Sequence, residues 1–210
     1  MSQRVLLTLG VVGVVAALLI GAVAMTSSAA GVSMMGLFAA SSGPTISMDK
    51  AQQSAQLFLD GTGNKDLRID ELMEFDQNFY ALIKEKSSGI GAFELLVNKS
   101  SGAVGFEPGP DAMWNAKYGM MRGSGPMRFL GSPGAMSVSS DRATQIAQAW
   151  LDRQGGGNSA GTPDAFYGYY TFHFQKAGQI AGMLSVNGSS GQVWFHGWHG
   201  RFIQARDLGA

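Results

Sequence analysis

Apolar and polar positions follow two rhythms along this chain, one helical and one strand-like, and the pair recurs once in the same order. Ala51, Ala55, Phe58 and Leu59 fall at i, i+3/4 spacing, as do Ala143, Ile146, Ala147, Trp150 and Leu151. Each set lays one apolar stripe along a helix. A Ser/Asp capping candidate stands ahead of each stripe, in Ser47-Met48-Asp49 and Ser139-Ser140-Asp141. Each stripe closes on an aromatic-Leu-Asp step, Phe58-Leu59-Asp60 and Trp150-Leu151-Asp152. Strand-like runs follow: Phe93 to Asn98 aligns with Gly182 to Asn187, and Ser101-Gly102-Ala103-Val104 with Ser190-Gly191-Gln192-Val193. Between them lie Asn98-Lys99-Ser100-Ser101-Gly102 and Asn187-Gly188-Ser189-Ser190-Gly191, compositions that tolerate the positive φ of tight turns.

Each half therefore predicts helix, strand, hairpin turn, strand, hairpin turn, strand: an antiparallel sheet with one face covered by its own helix. The expected fold class is α+β, with two tandem helix-plus-antiparallel-sheet modules at 46–107 and 138–203 and a tail at 204–210. A module of about 60–70 residues has a thin core and is marginal alone. The two copies are expected to stabilise each other.

No side chain from Val5 to Met25 is charged. At 1.5 Å of rise per residue such a run crosses the roughly 30 Å hydrocarbon layer, so residues 1–25 predict a transmembrane helix. Ala22-Val23-Ala24 also reads as a signal-peptide cleavage site, which leaves a cleaved leader as the alternative. Arg4 is the only charge before the run, and this bias places the N-terminus inside and the bulk of the chain outside the cytoplasm. Residues 26–45, rich in Ser, Ala, Gly and Met, read as a tether.

The connector between the modules, 108–137, is rich in Met, Gly and Pro. With Trp114, Tyr118, Met120, Met121, Met127 and Phe129 it is too apolar for a free linker. It is expected to lie against a module or another protein.

Taken together, Ala51 and Ala55, Asn78 to Leu82, and Glu94 to Asn98 with Ser101-Gly102 resemble the PepSY domain family. The second half repeats the likeness through Ala143, Ala147 and Leu151, Phe166 to Tyr170, Leu184 to Asn187, Ser190-Gly191 and Val193-Trp194. The resemblance covers 46–107 and 138–203. It implies an extracytoplasmic or membrane-associated, non-catalytic module of a kind found in protease propeptides and membrane proteins, with an inhibitory or chaperone-like role. Met113 to Gly119 and Trp194 to Gly200 fall outside the family's short pattern.

Charge and residue chemistry narrow the function. The chain carries 15 Lys+Arg against 15 Asp+Glu, so nothing electrostatic calls for a nucleic-acid partner. With no Cys, disulfides, thiolate metal sites and cysteine nucleophiles are excluded. No nucleophile elbow, phosphate-binding loop, dinucleotide fingerprint or zinc-protease helix appears, and the chain is read as a non-enzyme.

Three chemical candidates remain. His173, His196 and His199 form a possible copper, zinc or haem site if their strands bring them to one face. Otherwise the three are half-buried polar tips bonded to backbone or to a partner. Asp60, Thr62, Asn64, Asp66 and Glu71 fall into an EF-hand-like frame, but Lys65 stands where the sharp turn needs glycine. That stretch reads better as a polar helix-to-strand loop, with Asp70, Glu71 and Glu74 around a second helix start. Asn98 and Asn187 head formal glycosylation sequons that hairpin chemistry explains equally well.

The expected function is surface work: a membrane-anchored accessory subunit that binds a protein partner and needs no cofactor. Its expected contact residues are Trp114, Tyr118, Met120, Met121, Met127, Phe129, Tyr167, Tyr169, Trp194 and Trp198. Aromatic and Met side chains bury much area at modest ordering cost.

Overall fold

The computed structural model describes residues 44–119 and 136–209. The transmembrane and tether expectations (1–25, 26–45) and Met120, Met121, Met127 and Phe129 lie outside them. No helix among the described residues is long and apolar enough to cross a membrane.

Helix α1 (Met48–Thr62) starts at Ser47, whose hydroxyl accepts from the Lys50 amide, and stops at Gly63 in the left-handed region at φ 71°. Helix α3 (Ser140–Gln154) repeats the start, with Ser139 accepting from the Arg142 amide, and ends at Gly155. Between them lies the short α2 (Pro110–Trp114), with Pro at its N-terminus. The described residues also form nine strands: β1 (Leu67–Phe75), β2 (Asn78–Glu85), β3 (Gly91–Asn98), β4 (Val104–Phe106), β5 (Asn158–Ala165), β6 (Tyr169–Lys176), β7 (Gln179–Asn187), β8 (Val193–Phe195) and β9 (Phe202–Asp207).

The class is α+β with two antiparallel sheets, β4-β3-β2-β1-β9 and β5-β6-β7-β8. Against three strands expected in each, the first half has four and the second five. Asp70, Glu71 and Glu74 begin no second helix: they lie in β1. Glu71 therefore belongs to a strand and not to a loop that wraps a cation. Residues 202–207, expected to straddle a module end and a tail, form β9 and pair with β1 of the first half.

Strand alternation sorts the side chains into three cores. Phe79, Ala81 and Ile83 of β2 and Phe93, Leu95 and Val97 of β3 face Ala51, Ala55 and Leu59 of α1. Tyr170, Phe172, Phe174, Leu184 and Val186 face Ala143, Ala147 and Leu151 of α3. The alternate residues Met73, Phe75, Tyr80, Leu82 and Leu96 meet Phe166, Tyr169 and Met183 between the sheets. The layers run helix, sheet, sheet, helix. In β1 a register irregularity between Ile69 and Glu71 re-phases the alternation. Ile69 and Leu72, three apart, thereby share the α1 face, which a regular strand forbids.

The two Asn-x-Ser-Ser-Gly turns use one device: Asn98 Oδ1 accepts from the Ser100 and Ser101 amides, and Asn187 Oδ1 from those of Ser189 and Ser190.

The start of the connector is ordered against the second half. The Ala116 amide donates to the Tyr167 carbonyl at 2.6 Å. Gly168 sits at φ 117°, and a Cβ there would lie 2.3 Å from the Trp114 carbonyl oxygen. Gly168→Ala is expected to destabilise the chain by roughly 2–3 kcal/mol through backbone strain and this clash. Gly178→Ala, at φ 79° with nothing within 4 Å, should cost clearly less. Urea denaturation of the two variants compares them; equal midpoints would count against the close approach.

Candidate functional site

The inter-sheet layer is apolar at its edges and polar in its middle. Three side chains there are sealed from solvent: Glu107 (0% exposed), His199 (1%) and His196 (2%). Glu107 follows β4 and is tied to the first sheet by its amide, which donates to the Glu94 carbonyl at 2.9 Å. His196 and His199 lie in the loop from β8 to β9, where the chain passes from one sheet to the other. The His196 amide donates to the Met183 carbonyl at 3.1 Å.

One carboxylate oxygen and one ring nitrogen from each histidine fall within 4.8 Å of one another. His199 Nε2 is 2.8 Å from Glu107 Oε1, and His196 Nδ1 is 3.4 Å from the same oxygen. By distance these are ion pairs. By angle they are not hydrogen bonds, and both nitrogens, together with Glu107 Oε2, lack a hydrogen-bond partner. The angular test decides, because a ring nitrogen's proton or lone pair is confined to one in-plane direction. The three groups therefore converge on a shared point and are not bonded pairwise.

The far side of each ring is held. His199 Nδ1 lies 2.9 Å from Asn78 Oδ1, and Asn78 Nδ2 donates to the Trp198 carbonyl at 2.9 Å. That second bond fixes which way the Asn78 amide points, so His199 Nδ1 carries the proton. His196 Nε2 lies 3.0 Å from Ser185 Oγ, itself 2.8 Å from Thr171 Oγ1. Trp198 Nε1 donates to Glu107 Oε1 at 3.0 Å. The ring faces are covered as well: His199 stacks on Phe75 and His196 on Trp198. Burial lowers the His199 pKa, which favours the neutral ring. Burial pushes the Glu107 carboxyl up, but the two imidazoles beside it outweigh this and hold it well below the usual range.

A second cluster adjoins this one. Glu94 (0% exposed) accepts from Tyr80 at 2.7 Å and lies 2.9 Å from the Tyr169 hydroxyl, which also lies 3.1 Å from Asp111 Oδ1. Asn115 Nδ2 donates to the same Asp111 oxygen. One hydroxyl proton cannot serve two carboxylates, so one of the two acids carries a proton. Burial raises the Glu94 carboxyl well above its ordinary range, and Glu107 and Asp111 add to the rise. Glu94 is then the donor to Tyr169, and Tyr169 the donor to Asp111.

His173 does not join Glu107, His196 and His199. It lies on β6, whereas His196 and His199 lie past the end of β8; its Nε2 is 3.7 Å from Glu71 Oε2, and its ring meets Tyr80 edge-on, as that of His199 does. Glu71 is raised to about 7 by burial and by Asp164, Asp207 and Asp70, against Lys84. The third group at the convergence point is Glu107, which the sequence did not mark: its backbone has left β4 and no periodicity identifies it. Glu94 was legible in principle, as the one acid in the apolar run of β3.

Among the described residues of the expected contact set, Trp114, Tyr118, Tyr167, Trp194 and Trp198 are half-buried and only Tyr169 is fully buried. Tyr169 thus serves no outer surface. Trp114 meets Tyr169 and Trp194 edge-on, and Trp198 is tied to Glu107. Tyr118 and Tyr167 both donate to the Glu85 carboxylate, with Lys117 alongside. Although burial opposes it, these donors pull Glu85 down to about 2. Trp114, Tyr169 and Trp198 thus belong to the inter-sheet core, whereas Tyr118 packs on the core under α1.

Comparison of the chain with protein-family models, with curated proteins and with solved structures gave no match.

Proposed function

We propose that the chain is a membrane-anchored, extracytoplasmic accessory module that binds a protein partner and catalyses no reaction. The uncharged run from Val5 to Met25 and the PepSY-like residues of both halves support this reading. The observation that carries it is the outer edge of β9. This strand ends the first sheet, has no Pro, and leaves one side without a neighbour among the described residues. Beside it runs a shallow groove lined by Gln179, Ile180, Arg201, Phe202 and Ile203, in which Ile203 is 47% exposed. An unpaired edge with an adjoining apolar groove suits a partner segment that adds as an extended strand. By contrast β5, the long edge of the second sheet, is blunted by Pro163 and by an irregularity between Ala160 and Pro163.

A photo-crosslinking residue at Ile203 of the full chain, expressed in its native membranes, is expected to give one discrete protein adduct. The same residue at Leu57, 63% exposed on α1, should give none. No adduct at 203, or the same adducts from both positions, would defeat the proposal.

A second reading, metal handling, is favoured by one observation: the convergence of Glu107, His196 and His199.

A further inference from the structure

His199, whose Nδ1 donates to Asn78, turns Nε2 to a buried point that also faces the Glu107 carboxylate, 2.8 Å away. His199 Nε2 and Glu107 Oε2 are both buried there without a hydrogen-bond partner, a cost that a shared cation removes. His196 Nδ1 is the third group without a partner at that point. We propose that Glu107, His196 and His199 hold one zinc-class divalent cation, which clamps the β8–β9 loop of the second half to the first sheet.

The donor set fits this class of ion. Two imidazoles and one carboxylate suit zinc and its neighbours better than calcium or magnesium, which take all-oxygen shells. Metal–ligand bonds of about 2.0–2.2 Å at tetrahedral angles place ligand atoms about 3.3–3.5 Å apart. The His196–Glu107 separation of 3.4 Å already meets that, and the His199–Glu107 separation of 2.8 Å needs only a small opening. That the nitrogens miss the hydrogen-bond direction to Oε1 agrees with lone pairs aimed at a point beside it.

The surroundings are those of a metal site. Each ligating ring is oriented through its other nitrogen, His199 by Asn78 and His196 by the Ser185–Thr171 pair, and Glu107 accepts from Trp198. The three ligand atoms lie within 4.8 Å of one another on buried residues, and Phe75 and Trp198 cover the imidazole faces, an arrangement scaled to one ion and not to a porphyrin. Haem is thereby set aside, and His173 is not a ligand.

The full chain, purified in mild detergent without a His tag, is expected to carry close to one zinc by elemental analysis. Chelation should lower its melting temperature, and zinc but not calcium should restore it. Cobalt(II) added to the stripped protein should give the intense visible bands of a four-coordinate N/O site, and zinc should bleach them. Glu107→Gln is expected to weaken zinc binding at least 100-fold, and Asn78→Ala about 10–100-fold, while His173→Ala keeps full stoichiometry. Because a buried variant can fail to fold, the wild-type chain decides. If it melts cooperatively but neither carries nor takes up zinc, the proposal is overturned, and a shared proton fills the point. Retention of the metal by a folded Glu107→Gln chain overturns it equally.

Discussion

Cut after Gly119, the first half of this chain is expected not to fold. Its α1 face would survive the cut, since Ala51, Ala55 and Leu59 pack on residues of β1 to β3. The other face would not. Met73, Phe75, Tyr80, Leu82 and Leu96 are all at most 1% exposed, and the second half covers them with Phe166, Tyr169 and Met183. Burying a large apolar side chain contributes about 1.5–3 kcal/mol, so baring these five forfeits on the order of 10 kcal/mol. A domain's whole stability is about 5–15 kcal/mol. The cut also removes β9 and opens the edge of β1 along Glu71 to Phe75. Glu94 would keep its carboxyl among apolar neighbours while losing Tyr169. A fragment of residues 44–119 should therefore show no cooperative thermal transition by circular dichroism and collapsed amide dispersion in its NMR spectrum. A cooperative melt near that of the full chain would show instead that each sheet completes its own core.

That mutual dependence was legible in the sequence as far as local signals reach. Both long helices were marked by their stripes and by Ser caps three residues before an amide they satisfy, because capping is chemistry within one turn. Both Asn-x-Ser-Ser-Gly turns were legible for the same reason. The two strands that open each sheet were not. In β1, Asp70, Glu71 and Glu74 break the apolar alternation and mimic an acidic helix start. They are tolerated because Arg68 and Lys84 reach Asp70, and Lys99 and Gln204 reach Glu74. In β5, Gly161 and Pro163 read as loop, yet an edge strand has one side that needs no amide donor. Neither fact exists until the neighbouring strands are in place. The candidate site shows the same division. His196 and His199 were visible as a spaced pair in an aromatic run, whereas Glu107 joins them from 89 residues away in the chain, through the passage from β8 to β9 (196 − 107 = 89). His173 carried the same residue type, but it stands on β6 with Glu71 as its neighbour. Residue type was readable and partnership was not.

A contribution to stability that falls as the solution turns from acid to neutral is the second large effect expected. Asp111 is one source of it beside Glu94 and Glu71, and the lowered His173 and His199 act in the opposite direction. The Asp111 side chain is 2% exposed, and burial together with the Glu107 charge lifts its carboxyl to about 7, against the bonds from Asn115 and Tyr169. An unfolded aspartic acid releases its proton near 3.9. Between roughly pH 4 and 7 the folded chain thus holds one proton that the unfolded chain has lost. The stabilisation is whole below pH 4 and disappears as pH rises through 7, at about 1.4 kcal/mol per pH unit. Over some three units the loss approaches about 4 kcal/mol, taken as an upper bound because the ionised form can draw in water or relax. Asp111→Asn removes the titration and keeps a group able to bond Tyr169 and Asn115. Its stability, followed by urea denaturation from pH 5 to 8, is expected to be flatter than that of the wild type by close to one proton. The variant should gain most at pH 8, where the wild type must hold a buried carboxylate. Glu94→Gln should flatten the profile too, by close to one proton across the whole of pH 5 to 8, because burial keeps Glu94 protonated in the folded chain where an unfolded glutamic acid is ionised. Parallel profiles for wild type and Asp111→Asn would mean that Asp111 is ionised from pH 5 upward. The proton shared through Tyr169 would then reside on Glu94 alone.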